Sequence, residues 1–486
     1  MEGSIILDFF EKDDLLEVLG NMARENQLES LATLNFSAFI RSPQVQELLA
    51  TSKTSVRISD MRLTYYYFLF LRLNEYIGNT AIMGVFKDMM HLTDNSEVSA
   101  VYAACRDVTP DIKYAVCQRI EALTRGQQDN ELWDILRDGM ISSSKFQWAV
   151  KQHSINKKLF NPQPIKVNHY FAGPLAFGIR CEQTVKKILS ELIHPNLPRF
   201  HDCGFLPSAI DGIFGVSLDT AFNVFTDSSG LVHFEPDSIV YEIKSRYKYQ
   251  FSKSEFDGLA KKYLDLYKNP CEATFIKFIN CISRPAVEYV PHGKLPSESD
   301  YLITHSMNWK TSNKRKRKIT DSHICLKKCL LHNMYQQSTV YILSDPSETS
   351  GKITIKASFP IDVFVNPAHN YFYQVALQNM VVQDYIEFGQ GVYKRLGHQK
   401  NFIASGFFRK RHFSDPAVCS IGNCGKLDTT DEIPVALIIT PVRIPSTVLH
   451  EYLKKAIDFW NQCAEANFDH IPWGQLSDVA RKPITP

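Results

Sequence analysis

The chain has 486 residues, 44% of them apolar, so it can bury a large core, and its net charge is only +2. No global field announces a polyanion partner, so any nucleic-acid surface must be a local patch. Eleven cysteines, an odd number scattered without paired spacing, fit a reducing compartment better than a disulfide framework.

The N-terminus is acidic and breaks its apolar run early, so no secretory signal is expected. The most apolar stretch, residues 65–71, lies between Arg62 and Arg72 and is too short to span a bilayer. A soluble intracellular protein with no membrane partner is the expectation. Residues 1–140 read as a helical lobe. Thr109-Pro110-Asp111 has a capping Thr, Pro at the first helical position and an acid in the first turn, and the helix stops near Gly126. Residues 130–139 read as a second short helix.

From residue 141 the pattern changes. Residues 141–305 are expected to form the first part of a core, 306–335 a basic insertion, and 336–486 the completion of that core. Residues 176–193 carry apolar side chains at helical spacing, while 214–225 and 239–247 read as strands with the turn signal Asp227-Ser-Ser-Gly230 between them. A helix over 253–267, strands at 339–343, 352–365 and 435–439, and an amphipathic helix at 448–462 follow. Helices alternating with mixed strands predict an α/β class built on a sheet.

Glu242-Ile243-Lys244 sits inside the second strand, and a period of two puts Glu242 and Lys244 on one face. Asp219 ends the preceding strand, and pairing of the two strands would bring two carboxylates and one ammonium together. Hard divalent cations such as Mg²⁺ take carboxylate oxygens and water, and the ion can polarise a phosphoryl oxygen and acidify a bound water. Lys244 would then orient the water or stabilise developing charge. A three-residue motif is weak alone, and an ion pair on a solvated edge strand is the plain alternative. Yet 242–244 is the only E-x-K triplet, and the only D-x-K, Asp111-Ile112-Lys113, falls at a helix start. Glu182, at the margin of the apolar face of the 176–193 helix, could reach the same ion or be a surface glutamate.

Longer motifs carry a resemblance. Gly215-Val-Ser-Leu-Asp219 with Glu242-Ile-Lys244, Ile141-Ser-Ser-Ser-Lys-Phe146, Gly173-Pro-Leu-Ala-Phe-Gly178 with Cys181-Glu182, and Pro285-Ala-Val-Glu-Tyr289 resemble the alkaline nucleases of herpesviruses. So do Gly293-Lys-Leu-Pro-Ser-Glu-Ser-Asp-Tyr301, Tyr371-Phe-Tyr-Gln374 and Gly406-Phe-Phe-Arg-Lys-Arg411. The match runs from about residue 60 to 440, and its wording is similar to the gammaherpesvirus shutoff-exonuclease branch, with a rodent virus as the expected source. The resemblance implies a restriction-endonuclease-like PD-(D/E)xK core and Mg²⁺-dependent 5′-to-3′ degradation of viral DNA at alkaline pH, with Mn²⁺ as a substitute ion. It also implies cleavage of host mRNA, and work in the host nucleus and cytoplasm.

By motif position it implies Asp219, Glu242 and Lys244 as the catalytic set. Asp219, Glu242, the main chain of Ile243 and Glu182 would be the metal ligands. Arg137, Ser144 and Ser217 match residues that hold a terminal 5′-phosphate in phage relatives, and Tyr371 and Gln374 match a nearby Y-x-x-Q element. Leu218 stands where the motif's name has Pro. Gln378 stands where some RecB-like relatives place Tyr, which leaves that element's role open.

Other motifs compete for a function. Lys314-Arg-Lys-Arg-Lys318 suits a nuclear import signal, a phosphate patch or a solvated charge run. Phe407-Phe-Arg-Lys-Arg-His412 mixes aromatics and cations as single-strand grooves do, or forms a strand with a basic edge. Cys325, Cys329 and His332 share a helical face with His323 near, but lack the second ligand pair of a zinc site. The rival to a nuclease is a non-enzymatic nucleic-acid-binding scaffold that keeps the fold, and an endonuclease of DNA junctions would share the same acidic centre.

Overall fold

A computed structural model of the chain describes residues 33–52, 56–77, 97–152, 159–161, 173–200, 203–228, 230–255, 258–282, 289–291, 321–389, 400–422, 425–427 and 431–468. The run Lys314–Lys318, the motif 293–301 and residues 285–288 lie outside the described residues.

The helical first third begins with α1 (Phe36–Ile40), α2 (Pro43–Thr51), α3 (Ile58–Ile77) and α4 (Val98–Asp107). Then come α5 (Pro110–Leu123) and α6 (Glu131–Leu136). The α5 helix starts on Pro110, as the sequence predicts, and Asn130 caps α6 by accepting from the Leu132 amide at 3.0 Å. A two-residue strand β1 (Ile141–Ser142) leads into α7 (Ser143–Val150), and α8 (Pro174–Ile188) runs into a wider π turn over Leu189–Ile193. The helix expected over 176–193 therefore keeps α geometry only to Ile188.

Seven strands form the main sheet: β2 (Arg199–Phe200), β5 (Thr220–Thr226), β6 (Val232–Ser245), β8 (Ser338–Leu343), β10 (Ile355–Ile361), β12 (Lys400–Lys410) and β15 (Glu432–Pro441). Their order is β10-β8-β15-β12-β6-β5-β2, and only β12 and β6 run parallel, so the sheet is mixed. A small second sheet joins β1 to β4 (Phe214–Val216) and β3 (Leu206–Pro207). The stretch 214–225, expected as one strand, is thus two strands in two sheets, broken at Ser217–Asp219. Likewise 352–365 is not continuous but splits into β9 (Lys352–Ile353), β10 and β11 (Val363–Val365); β11 pairs with β7 (Tyr289–Pro291), and β9 with β13 (Ser420–Ile421), which also pairs with β14 (Gly425–Lys426).

Helices cover both faces of the main sheet. Phe177, Cys181 and Val185 of α8 pack on Tyr241, Ile243, Ala404 and Phe408. On the other face α9 (Gly258–Lys268) and α10 (Glu272–Ile279) bury Leu266, Phe275 and Phe278 against Val340, Ile342, Phe407 and Ile438. Gly406 lies under α8, where an added Cβ would meet Val185 Cγ2 at 2.8 Å, so the helix can approach the sheet only over a glycine. Beside α9 and α10 runs α12 (Asn370–Gly389), which joins the N-terminal helices and α13 (Ser446–Asn467) in one further cluster from Leu34 to Phe468. The sequence reading did not anticipate α12. The α11 helix (Asp321–Asn333) carries Cys325 and Cys329 inward. Among the described residues every cysteine is a free thiol, and no helix is long and apolar enough to cross a membrane.

Candidate active site

Strand β6 alternates cleanly. Tyr241 and Ile243 enter the core under α8, so Glu242 and Lys244 face the opposite side, toward α12. In the antiparallel register with β5, Thr220 pairs with Tyr241, which brings Asp219 to the level of Glu242 and Ile243 just as β5 begins. The break between β4 and β5 turns the Asp219 side chain across, and its Oδ2 accepts the Ile243 amide at 2.6 Å. Glu242 is 4% exposed and engaged through both oxygens. Its Oε1 accepts from Lys244 Nζ and its Oε2 from Gln378 Nε2 at 2.6 Å.

Gln378 is fully buried on α12 and also reaches the Ser217 carbonyl at 3.5 Å, tying Glu242 to the segment that holds Asp219. The sequence registered Gln378 only as a departure from relatives with Tyr. Two turns earlier, the Tyr371 ring lies 5.1 Å from Lys244 Nζ and 5.5 Å from Arg246 Cζ. Gln374, between them, has a buried Oε1 with no hydrogen-bond partner.

The charges do not cancel. Burial pushes the Asp219 carboxyl well above the usual carboxylate range, and the negative charges of Glu242 and then Glu182 push it further against Lys244. Burial pulls the Lys244 ammonium down, but Glu242 and Asp219 outweigh it and hold the group above its ordinary value. Glu182 is felt at this range without joining the cluster, because its carboxylate pairs with Lys186 at 2.9 Å on its own helix. Among the described residues no three His, Cys, Asp or Glu side chains form a ready-made ion cage. The donor set still suits a hard divalent cation, which commonly binds through one or two carboxylates and keeps several waters.

The other site residues from the sequence form a second group. Arg137 follows α6 directly, and its guanidinium lies 3.7 Å over the Trp133 ring. Trp133 Nε1 in turn donates to Ser217 Oγ at 2.9 Å, so Arg137 and Ser217 are linked through a tryptophan that the sequence reading passed over. Trp133 precedes Arg137 by one helical turn, and that spacing was the available signal. Ser217 lies in the break between β4 and β5, outside both strands. Gly139, at φ +67°, turns the chain after Arg137. Arg62, fully buried, clamps this turn to β4 by donating to the carbonyls of Asp138 (2.9 Å), Gly139 (3.1 Å) and Gly212 (3.1 Å). Ser144 is exposed on α7, with its hydroxyl 3.1 Å from that of Ser142. Cys325 and Cys329 are buried while His332 is exposed and bonds the Lys328 carbonyl, so these three do not converge on an ion.

Comparison with known proteins bears on the family and the fold. A family model described as viral alkaline exonuclease matches residues 26–477. The shutoff alkaline exonuclease of Saimiriine herpesvirus 2 is 47% identical over 487 residues, covering 99% of this chain and 100% of the relative. The crystal structure of the shutoff and exonuclease protein from Kaposi's sarcoma-associated herpesvirus superposes with a TM-score of 0.81 at 41% identity, covering 97% of this chain and 99% of that one. A SOX–DNA complex matches with a TM-score of 0.76 at 40% identity over 96% of this chain and 97% of that one. A KSHV SOX–RNA complex gives 0.77 at 41% identity over 93% and 98%. With a family model over nearly its whole length and a near full-length relative at this identity, the chain belongs to the viral alkaline exonuclease family and is a nuclease.

Proposed function

We propose that the chain is a Mg²⁺-dependent 5′-to-3′ DNA exonuclease that processes viral DNA at alkaline pH and also cuts host mRNA internally, shutting off host expression. Relatives named shutoff alkaline exonucleases and structural neighbours solved with DNA and with RNA support the reading. One observation carries it: Asp219 and Glu242 are held beside each other at the start of β5, each fixed through a hydrogen bond, with Lys244 on the same face. On this reading the sheet is a PD-(D/E)xK core.

Family membership implies a divalent ion, and we assign Mg²⁺, with Mn²⁺ able to replace it. Asp219, Glu242 and the main-chain carbonyl of Ile243 would hold the ion, with Glu182 as an accessory ligand. Once bound, it supplies Lewis acidity to the phosphoryl oxygen and to a water. Gln378 fixes the Glu242 carboxylate plane, and Lys244 Nζ keeps a proton beside the scissile phosphate, where negative charge grows. Arg137 offers a planar fork to a terminal 5′-phosphate, with Ser217 and Ser144 as short donors and Tyr371 and Gln374 lining the approach. Internal RNA cleavage uses no such end. Residues 314–318 would direct nuclear entry, with activity also in the cytoplasm.

End-labelled linear duplex, closed circular duplex and RNA, each with and without Mg²⁺, test the reading. Wild type should shorten linear DNA from its 5′ end, spare circles and cut RNA internally, all only with the ion. Asp219→Asn should do none of these while still binding DNA, and undiminished turnover by that variant would remove the proposed centre.

A further inference from the structure

The loop between β12 and β13 (Ser420–Ile421) carries Phe413, which is 93% exposed, more than any other large apolar side chain among the described residues. An aromatic in water on a loose loop would mean little, but this loop is pinned. Arg409 donates from both terminal nitrogens to Asp415 at 2.7 Å, and Asp415 also accepts the His412 amide at 2.8 Å. Arg411 Nη1 donates to the Pro416 carbonyl at 2.7 Å, and His412 Nδ1 lies 2.8 Å from the Ser414 hydroxyl. The ring is therefore presented on a rigid base, which lowers the entropy lost when a partner stacks on it.

The loop also stands on the rim that leads from the acidic centre. Because β12 runs parallel to β6, both strands end at the same edge, with Ser405 beside Lys244. Beyond that level the Arg246 amide donates to the Gly406 carbonyl at 2.9 Å, and the Lys410 amide to the Phe251 carbonyl at 2.8 Å. Between those two bonds the turn Tyr247–Tyr249 exposes Tyr247 and Lys248. The Tyr247 ring meets Phe177 edge-on at 5.4 Å, and Phe177 meets Phe408 at 5.7 Å, so this turn lies over β12. Lys410 is exposed at the strand end. Past Lys244, which faces α12, the strand ends therefore carry Arg246, then Tyr247 on the α8 side, then the exposed Lys248 and Lys410, and last Phe413. From Ser405 to Lys410 the strand spans roughly 17 Å, at about 3.4 Å per residue.

We propose that Phe413, with Lys410 and Lys248, forms a second contact for single-stranded nucleic acid, outside the cleavage centre, in which Phe413 stacks on a base and the two lysines meet phosphates. The proposal rests on the nuclease reading above and adds a site for the strand away from the cut. Every base has a π-face, so one rigid ring among cations holds a strand with little regard to sequence. A protein partner would ask for a broader apolar patch, whereas polar His412 and Ser414 flank Phe413 in the loop, with the His412 ring 4.0 Å from it.

The test is binding of a labelled long single strand, as DNA and as RNA, and of one too short to span the rim, in metal-free buffer. Phe413→Ala should weaken binding of the long strand about tenfold, the stacking of one base. Phe413→Trp should restore it, and the short strand should bind alike in all three proteins. Lys248→Ala with Lys410→Ala should lower the salt dependence by roughly 1.4, at about 0.7 per lost phosphate contact on a single strand. Hydrolysis of bis(p-nitrophenyl) phosphate should stay at the wild-type rate in every variant. Equal affinity of Phe413→Ala and wild type for the long strand would overturn the proposal, as would an equal loss on the short strand. A wild-type dimer dissociated by Phe413→Ala would overturn it too, by making the ring a contact between copies. Failure of the nuclease reading looks different, since wild type itself would then cut nothing.

Discussion

Two ion networks border the same pair of strands and behave in opposite ways. At the end of β12, Arg409 and Lys253 lie among Asp345 and Asp415, with Lys253 2.8 Å from Asp345 and 3.4 Å from Asp415. Burial alone would raise the Asp415 carboxyl, but its hydrogen bonds from Arg409 and from the His412 amide outweigh it and hold it at about 2. At the start of β5, burial, Glu242 and Glu182 all push Asp219 the other way. Nearby, Ser245 Oγ, Asn370 Oδ1, Gln374 Oε1 and Gln378 Oε1 are buried without a hydrogen-bond partner. The first network is satisfied and fastens loops. The second gathers like charge and unmet acceptors, the expected state of a site completed by an ion and a substrate.

The sharpest way to break this contrast is the same change in each network. Asp219→Asn should cut turnover by more than about 10³-fold, the scale of a lost electrostatic centre, without lowering the melting temperature, because it removes repulsion. Asp415→Asn should leave hydrolysis of a small phosphodiester intact but destabilise the fold by about 3 kcal/mol, since Arg409 stays buried with half its partners gone. The pH dependence separates them further. A carboxylate whose folded pKa is depressed stabilises fully above its unfolded value near 4 and loses that contribution as pH falls toward about 2. Acid unfolding of wild type should therefore steepen in that window, and Asp415→Asn should flatten it. An Asp219→Asn protein that melts early, or an Asp415→Asn protein that is stable and inactive, would reverse the assignment.

Next in size is the 5′-end pocket. Arg137→Ala should slow digestion of 5′-phosphorylated linear DNA by about 10- to 100-fold, as for a charge-assisted pair of roughly 1.5–3 kcal/mol, while internal RNA cleavage drops much less. Equal losses on 5′-phosphate and 5′-hydroxyl ends would leave Arg137 as a partner of Trp133 alone. Gln378→Leu should cost about tenfold in kcat with KM little changed, the lower bound for losing a group that orients a ligand. A change confined to KM would place Gln378 on the substrate rather than on Glu242.

How far the sequence reached depended on whether a pattern had one meaning. Glu242-Ile-Lys244 sits in a regular strand, so period two placed both charged side chains on one face, although that face is covered too and Glu242 is buried. Residues 214–225 alternate just as smoothly, and nothing in that alternation marks the crossing from one sheet to another at Ser217–Asp219. The α12 helix was invisible for a different reason. Phe372, Tyr373, Val375, Ala376, Leu377, Met380, Val381 and Tyr385 are all buried, so apolar side chains cover most of the helix and leave only the narrow polar strip Asn379, Gln383, Glu387, which blurs the 3.6-residue stripe. With it went the partner of Glu242, since Gln378 is meaningful only once α12 lies against β6. Strand β12 was read only as a basic-edged alternative, because Asn401, Ser405 and Gly406 interrupt its apolar run.

The smallest effect concerns Lys145, beside Ser144 on α7. Burial lowers its ammonium to about 8, and the charge of Arg137 pushes in the same direction, so the two cations sense each other. At neutral pH both should face the terminal phosphate, and above pH 8 only Arg137 should remain charged. The preference for 5′-phosphate over 5′-hydroxyl ends should then fall about two- to fivefold between pH 7 and 9, the worth of one partly screened charge near 0.5–1 kcal/mol. Stability should move the opposite way. A base whose pKa is about 8 when folded and near 10.4 when unfolded binds fewer protons in the folded state between those values, so its burial penalty is relieved as pH rises through that window. Lys145→Gln should flatten both trends, giving at pH 7 the end preference that wild type shows at pH 9. If end preference in wild type is constant from pH 7 to 9, Lys145 lies outside the phosphate's reach and Arg137 works with the serines alone.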